Sequence, residues 1–436
     1  MLDMIIRGGQ VVAPEGASDL DVGIQDGRIA VVAAPGTLGG EAGRMIDATG
    51  MIVLPGGIEP HTHIGIPVPK LWAGRSEVIT QPPEAASRAA AFGGVTTLID
   101  FAGKLAITPG ESPTTDPIMK QIEERREAFA GHSYTDFAFH FILAGATSPA
   151  TIGQIGEAIQ NGVASFKIFT TFNAARTPYG HLWEIFQQVS HHGGIMAVHA
   201  EDDDIVTYME EKLKREGRDQ GYNLHLVHNN ISEDIAFRQI LRLAKHTETG
   251  IYFVHTTAKE GVEAIAEARL QQQPGYGEAL HNYLEFTCED YQKPIGTAIH
   301  TYPAIKYPDD RDALQEGLAD GSLCTTATDE YTTYKDVKMS GNTIETVCGG
   351  HNGIETRLPV TYTKLVATGR ISLERFAAIT SSNAAKILGM YPQKGAIAVG
   401  SDADIVVYDP NLNKKLTLDD LHSDSDYSIW EGFECH

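Results

Sequence analysis

A chain of 436 residues is long enough for one large barrel domain with a small satellite, or for two or three average domains. With 42% hydrophobic and 21% charged residues it is globular in composition, and a formal charge of −23 argues against nucleic acid or an anionic membrane as partner. No apolar run reaches the ~18 residues of a membrane span, and Met1 to Arg7 has no basic start followed by a long apolar stretch, so neither a transmembrane helix nor a signal peptide is expected. Cys288, Cys324, Cys348 and Cys435 show no paired spacing, which fits a reducing cytoplasm.

In chain order, residues 1 to about 54 read as short strands. Ile5-Ile6, Gln10-Val11-Val12, 19–24 and 29–32 are β-rich, and Asp26-Gly27 suits a two-residue hairpin turn. From about residue 393 the β character returns, over 395–400 and 403–408. A small β-sandwich domain built from both chain ends, 1–54 and 393–436, is therefore expected to enclose a central domain over 55–392. The last residues, 429–436, read as lacking a closing strand or cap, and the natural chain is expected to continue beyond His436.

Between the ends, strand-like and helix-like segments alternate, as βα units around a parallel sheet do. Strands are expected at 52–54, 95–100, 137–143, 164–169, 195–198, 251–254 and 323–328, with an eighth near 274–279, where the pattern is weak. Helices are expected near 117–130, 149–161, 231–247 and 258–271. Eight such units over about 330 residues fit an α/β fold of the TIM (β/α)8-barrel type, whose active site lies at the C-terminal strand ends.

Chemistry-bearing residues sit at or just beyond several of these strands: His61 and His63, Lys167, His199, His255 and Asp329. A His-x-His on an extended segment points both rings to one side, a geometry for one divalent metal. Taken singly, His199 and His255 also read as satisfied histidines at strand ends. Lys167 lies among apolar neighbours in Ser165-Phe166-Lys167-Ile168-Phe169, where it must be paired or chemically altered. Desolvation lowers a lysine's pKa, and a neutral amine reacts with carbon dioxide to give a carbamate able to bridge two metals; the alternative is a structural salt bridge. Asp329 reads as a metal ligand and proton shuttle, or as a helix N-cap. The other histidines, including the pair His191-His192, read as surface residues.

The chain resembles the amidohydrolase superfamily, specifically its cyclic amidohydrolases: dihydropyrimidinases, hydantoinases and allantoinases. The resemblance spans essentially the whole chain. It rests on Pro55-Gly56-Gly57-Ile58-Glu59-Pro60-His61-Thr62-His63, Phe92-Gly93-Gly94-Val95-Thr96-Thr97, Lys167-Ile168-Phe169 and Val198-His199-Ala200-Glu201. Val254-His255, Asp329, Gly353-Ile354-Glu355-Thr356-Arg357-Leu358-Pro359, Ser382-Asn383-Ala384-Ala385-Lys386 and Gly400-Ser401-Asp402-Ala403-Asp404 complete it. The resemblance implies two divalent metal ions, usually zinc. His61, His63 and Asp329 would hold one, His199 and His255 the other, with carbamylated Lys167 between them. It also implies a homotetramer or dimer acting on a small cyclic amide or ureide, by attack of a metal-bridging hydroxide on a ring carbonyl.

The sequence departs from the hydantoinase pattern around the substrate. A tyrosine five residues after the lysine, which helps stabilise the oxyanion, is Phe172 here. Losing such a donor costs roughly 2.7–4 kcal/mol of transition-state stabilisation, with Thr171, Tyr331 and Tyr334 as candidate substitutes. Asp-His after the last strand is Asp329-Glu330, Ser-Pro-Pro-Leu-Arg is Tyr302-Pro303-Ala304-Ile305-Lys306, and Pro-Asn-Gly is Cys348-Gly349-Gly350. Phe172, Tyr302 and Gly350 are thus expected in an altered substrate pocket, with residues 67–72, Leu71 and Trp72 among them, as a lid or wall. Dihydroorotase fits less well, because its substrate-holding arginine corresponds to Gly65. Allantoinase and acyclic-amide hydrolysis remain rival activities. A non-catalytic scaffold fits poorly, because every metal ligand is present.

Overall fold

The computed structural model describes residues 1–39, 42–104 and 116–436. The N-terminal strands are β1 (Met4–Ala13), β2 (Gly16–Gln25), β3 (Arg28–Ala33), β4 (Arg44–Asp47) and β5 (Ile52–Pro55). β1 pairs antiparallel with β2, and β2 with β3 across the Asp26-Gly27 turn. Both turn residues have positive φ, 51° and 71°, the left-handed conformation that a tight hairpin connection needs. β4 and β5 run parallel to β1. Ile6, Val11, Val22, Ile24, Ile29, Val53 and Ile397 form a separate apolar core under this sheet.

The barrel strands are β6 (Gly57–Thr62), β7 (Val95–Ala102), β8 (Asp136–Ile142), β9 (Ser165–Phe169), β10 (Ile195–His199), β11 (Gly250–Phe253), β12 (Gly275–Leu280) and β13 (Thr325–Ala327). They pair in that order, all parallel. The ring closes past β13, where the His63 N–H donates to the Glu330 carbonyl at 2.8 Å and Glu330 bridges Thr62. The weak eighth segment is β12. Its glycines blur the pattern because they pack tightly: a Cβ on Gly277 would lie 2.5 Å from Ile265 and 2.6 Å from Leu323.

One expected barrel strand belongs elsewhere. Residues 52–54 lie in β5, between β1 and the C-terminal strand β14 (Ile405–Tyr408), and the barrel starts at β6. Gly56 makes the crossing between the two sheets, where a Cβ would come within 2.1 Å of Thr96 Oγ1. An apolar run of this length is equally compatible with either sheet, so periodicity did not separate them. The helix expected over 149–161 is two short ones, Pro149–Ile152 and Ile155–Gln160.

The C-terminal stretch divides between the two units. Ile397, Ala403 and Ile405 pack under the small sheet, whereas Leu416, Tyr427, Ile429, Trp430 and Cys435 join the barrel's main core. The tail also has a closing ladder, Lys414–Lys415 against Glu434–Cys435, where none was expected. Lys394 ties the small sheet to the start of β8, its ammonium meeting Asp136, Asp402 and Asp404. Those carboxylates converge on a lysine and need no other cation. Among the described residues no helix is long and apolar enough to cross a membrane. All four cysteines are free and buried.

Candidate metal centre

The C-terminal ends of five barrel strands bring all six sequence-predicted residues to one cavity of about 720 Å³. His61 lies in β6 with His63 just beyond it, Lys167 in β9, His199 at the end of β10, and His255 and Asp329 just beyond β11 and β13. The Nε2 atoms of His61 and His63 lie 3.2 and 3.1 Å from Asp329 Oδ1. Beside them, His199 Nδ1 faces His255 Nε2 at 2.9 Å. The rings of His61 and His255 are 5.3 Å apart, so the two groups form one constellation. His255 and Asp329 both have positive φ, 40° and 51°. For side-chain-bearing residues this is sparsely populated backbone, held here because the chain must turn sharply off the strand end.

Burial sets the electrostatics. It pushes His63 and His199 below the ordinary histidine value and His255 well below it, so their rings stay neutral and keep a lone pair for a cation. Burial alone would raise the Asp329 carboxyl, but His61 and His63 outweigh it and hold the group well below the carboxylate range. The Lys167 amine is 1% exposed, and desolvation brings it down to about 7 against the pull of Asp329 and Glu278. Its Nζ stands 5.6 Å from the Phe101 ring centre and 5.1 Å from that of Phe169. Among the described residues no carboxylate forms an ion pair with it, so the salt-bridge alternative is not realised. Nor is Asp329 a helix cap: its Oδ2 accepts from the Thr301 hydroxyl at 2.8 Å.

A second ring of residues orients these side chains. Glu278 Oε1 accepts from His61 Nδ1 at 2.9 Å and from the His255 N–H at 3.0 Å, leaving His61 Nε2 aimed inward. Glu201 takes His199 Nε2 and His228 Nδ1, each at 2.9 Å, leaving His199 Nδ1 facing the cavity. Such carboxylate–imidazole contacts fix the ring tautomer and raise ligand basicity. Below them Arg357 Nε meets Glu59 Oε2 at 3.1 Å, both side chains fully buried.

The donor set suits a divalent cation. Ligand atoms of His61, His63 and Asp329 lie within 4.8 Å of one another, and imidazole nitrogens with one carboxylate match a borderline ion such as zinc.

Sequence reasoning missed part of this. Expected on the surface, His140, His228, His281, His300 and His351 are each at most 5% exposed. His140 alone carried a readable sign, its place in the apolar run Phe139-His140-Phe141, and its Nε2 donates to the Pro60 carbonyl at 2.9 Å. The others lie in loops and helix ends whose burial is decided by distant segments.

The pocket walls are aromatic. Phe172, in left-handed backbone at φ 69°, sets its ring 4.7 Å from that of His199 and edge-on to Tyr302 at 5.8 Å. Tyr302 stacks on Trp72 at 5.2 Å, and its hydroxyl donates to the Val347 carbonyl at 3.2 Å. Leu71, 55% exposed, lies outside the cavity. Two sequence departures are coupled: a Cβ on Gly349 would meet the Tyr302 ring at 2.5 Å, so the ring requires a glycine there. Gly350, φ 80°, in the same way leaves room for Tyr331, whose Cβ would lie 2.2 Å away. Of the candidate substitutes for the missing hydroxyl, Thr171 donates to Asp203 Oδ1 at 3.0 Å, and Tyr334 is 57% exposed outside the cavity. Tyr331 lines the cavity.

A parallel barrel with histidines, a lysine and an aspartate at its mouth defines a class, and comparison with known proteins places the chain within it. The amidohydrolase family profile matches residues 52–434, and the chain belongs to that family. It is 30% identical to the D-hydantoinase of Geobacillus stearothermophilus over 99% of this chain and 89% of that protein. It is also 30% identical to the L-hydantoinase of Paenarthrobacter aurescens, over 99% of this chain and 91% of that one. Among solved structures, the dihydropyrimidinase from Brevibacillus agri NCHU1002 superimposes with a TM-score of 0.91 at 29% identity, covering 99% of this chain and 92% of that one.

Proposed function

We propose that the protein is a metal-dependent hydrolase that opens a cyclic amide, imide or ureide ring at a C–N bond, the chemistry for which the hydantoinase and dihydropyrimidinase relatives are named. The observation that carries it is the convergence of six side chains, four imidazoles, one carboxylate and one desolvated amine, at the C-terminal mouth of the barrel. In this reading His61, His63 and Asp329 hold one ion and His199 and His255 the other. Lys167 Nζ would add to carbon dioxide, forming an N–C bond and losing a proton to water, and the carbamate would supply two anionic oxygens to the site. Bound there, divalent ions, zinc first among them, supply Lewis acidity toward a carbonyl and acidify an attacking water.

The remaining work falls to the chain. Asp329 Oδ1 is shared with the two histidine nitrogens, which leaves Oδ2, steadied by Thr301, to take the water's proton and pass it to the departing ring nitrogen. Phe172, Tyr302 and the Gly349-Gly350 segment wall the ring's faces and exclude bulk water. A cytoplasmic homotetramer or dimer belongs to the same reading, on the strength of the family resemblance.

A panel of hydantoins, dihydropyrimidines, allantoin, cyclic imides and acyclic ureides, assayed with zinc-loaded protein, tests the reading. Turnover of a ring substrate is expected, with hydantoin and dihydrouracil slow because Phe172, Tyr302 and Gly350 give the pocket a different lining from the hydantoinase pattern. Turnover confined to acyclic ureides would overturn the cyclic assignment.

Carbamate formation requires the neutral amine. With Lys167 at about 7, the amine is mainly neutral above that pH and mainly ammonium below it. Apoprotein given zinc and bicarbonate is therefore expected to gain activity faster at about pH 8 than at about pH 6. Reactivation equally fast without bicarbonate would count against the carbamate.

A further inference from the structure

We propose that Tyr331 is a catalytic residue, its hydroxyl donating a hydrogen bond to the carbonyl oxygen as that oxygen gains negative charge; the inference rests on the ring-opening reading and deepens it. As the water's oxygen forms a bond to the carbonyl carbon, the C=O π pair moves onto the carbonyl oxygen and the water's proton goes to Asp329 Oδ2. Collapse re-forms the C=O bond, breaks C–N, and returns that proton to the nitrogen. The transient charge sits in a cavity with largely aromatic walls, where one aimed donor counts for far more than in water.

The lining offers few such donors. The Thr301 hydroxyl is engaged with Asp329, and that of Tyr302 with the Val347 carbonyl. Phe172, which covers the His199 side, has no hydroxyl to give. Lys70 and Lys104 are exposed at the rim. The Tyr331 hydroxyl has no hydrogen-bond partner among the described residues. It is also absent from the sealed, unpartnered polar atoms, which include the hydroxyl of Tyr427. Tyr331 is 8% exposed and lines the cavity, so a free hydroxyl on a buried ring opens into it.

The backbone aims that ring. Glu330 turns away from the cavity, accepting from Gln81 Nε2 at 2.8 Å, from the Thr332 hydroxyl, and from the N–H groups of Gly353 and Ile354 at 2.8 and 2.9 Å. Asp329 and Tyr331, on either side of it, both line the cavity. The main chain is pinned on both flanks, by the His63 N–H on the Glu330 carbonyl at 2.8 Å and the Tyr331 N–H on the His351 carbonyl at 3.2 Å. The ring stands edge-on to His63 at 6.1 Å and to Trp72 at 6.4 Å. A donor fixed in this way needs little reorganisation when charge develops.

Tyr331→Phe keeps the ring and removes the hydroxyl. On whichever ring the wild-type zinc enzyme opens, kcat is expected to fall about a hundredfold to a thousandfold with KM within about threefold, because the bond strengthens only in the transition state. Metal content and thermal midpoint should stay unchanged. A cyclic phosphonamidate, which mimics the tetrahedral oxyanion, should bind the variant more weakly by a similar factor in calorimetry. A variant whose kcat matches wild type, or whose loss lies wholly in KM, overturns the Tyr331 proposal and leaves the ring-opening reading standing. A wild-type enzyme that opens no ring in the panel overturns both.

Discussion

Lys167→Ala protein is expected to purify folded, with its content of divalent ion reduced from about two per chain to well below one, and with activity lost together with the metal. Substitution of residues that merely orient a metal ligand typically costs about 10–100-fold in metal affinity or activity, so loss of a bridging ligand should exceed that range. The fold should survive because, among the described residues, no carboxylate forms an ion pair with the amine, which is 1% exposed with its charge disfavoured by burial. Ion content by mass spectrometry, set beside circular dichroism, separates the two effects. Full metal content and full activity in the variant would sink the bridging role. Metal and fold lost together would make Lys167 a structural residue.

The second large effect concerns the floor of the site. Arg357→Met is expected to destabilise the protein by about 3–5 kcal/mol, read from the denaturant midpoint of the apoprotein at about pH 9, because burial pushes Glu59 up to about 8 and above that pH the variant leaves its carboxylate buried without its cation. Arg357 also donates to the Thr326 carbonyl at 2.7 Å and to the Thr380 carbonyl at 3.2 Å. Glu59 accepts from the N–H groups of His61 at 3.2 Å and Thr328 at 3.0 Å. The pair therefore clamps the first barrel strand to the last, directly beneath His61 and Asp329, and metal affinity should fall along with stability. Glu59→Gln combined with Arg357→Met removes the stranded charge and should recover part of the loss. A single variant as stable as wild type would show that the pair contributes nothing.

Legibility in the sequence followed the range of the forces involved. The six site residues were readable because each ends, interrupts or closely follows a short β-branched run, and local alternation decides which way a strand residue points. The roles of Glu201, Glu278 and His228 were not readable, since each acts on a histidine whose ring reaches it only after strands pair. The 52–54 run showed the same limit from another side: its apolarity announced a buried strand, while pairing with β1 and β14 was settled by where Gly56 lets the chain cross. Trp430, read as part of an unfinished tail, found its burial against the barrel, where it packs on His281 at 5.0 Å.

By itself, then, the sequence determined the parallel-barrel class, the six side chains that meet in one cavity, and the departures from the hydantoinase pattern at Phe172, Tyr302 and residues 348–350. These depend on residue type and near-neighbour spacing, which chain connectivity preserves. Tertiary structure alone decided that Gly349 answers the Tyr302 ring, that Glu330 faces away while Tyr331 faces in, and that Glu59 and Arg357 meet at full burial. Those relations join segments up to hundreds of residues apart. Close packing and desolvation act between such segments only once the barrel has closed.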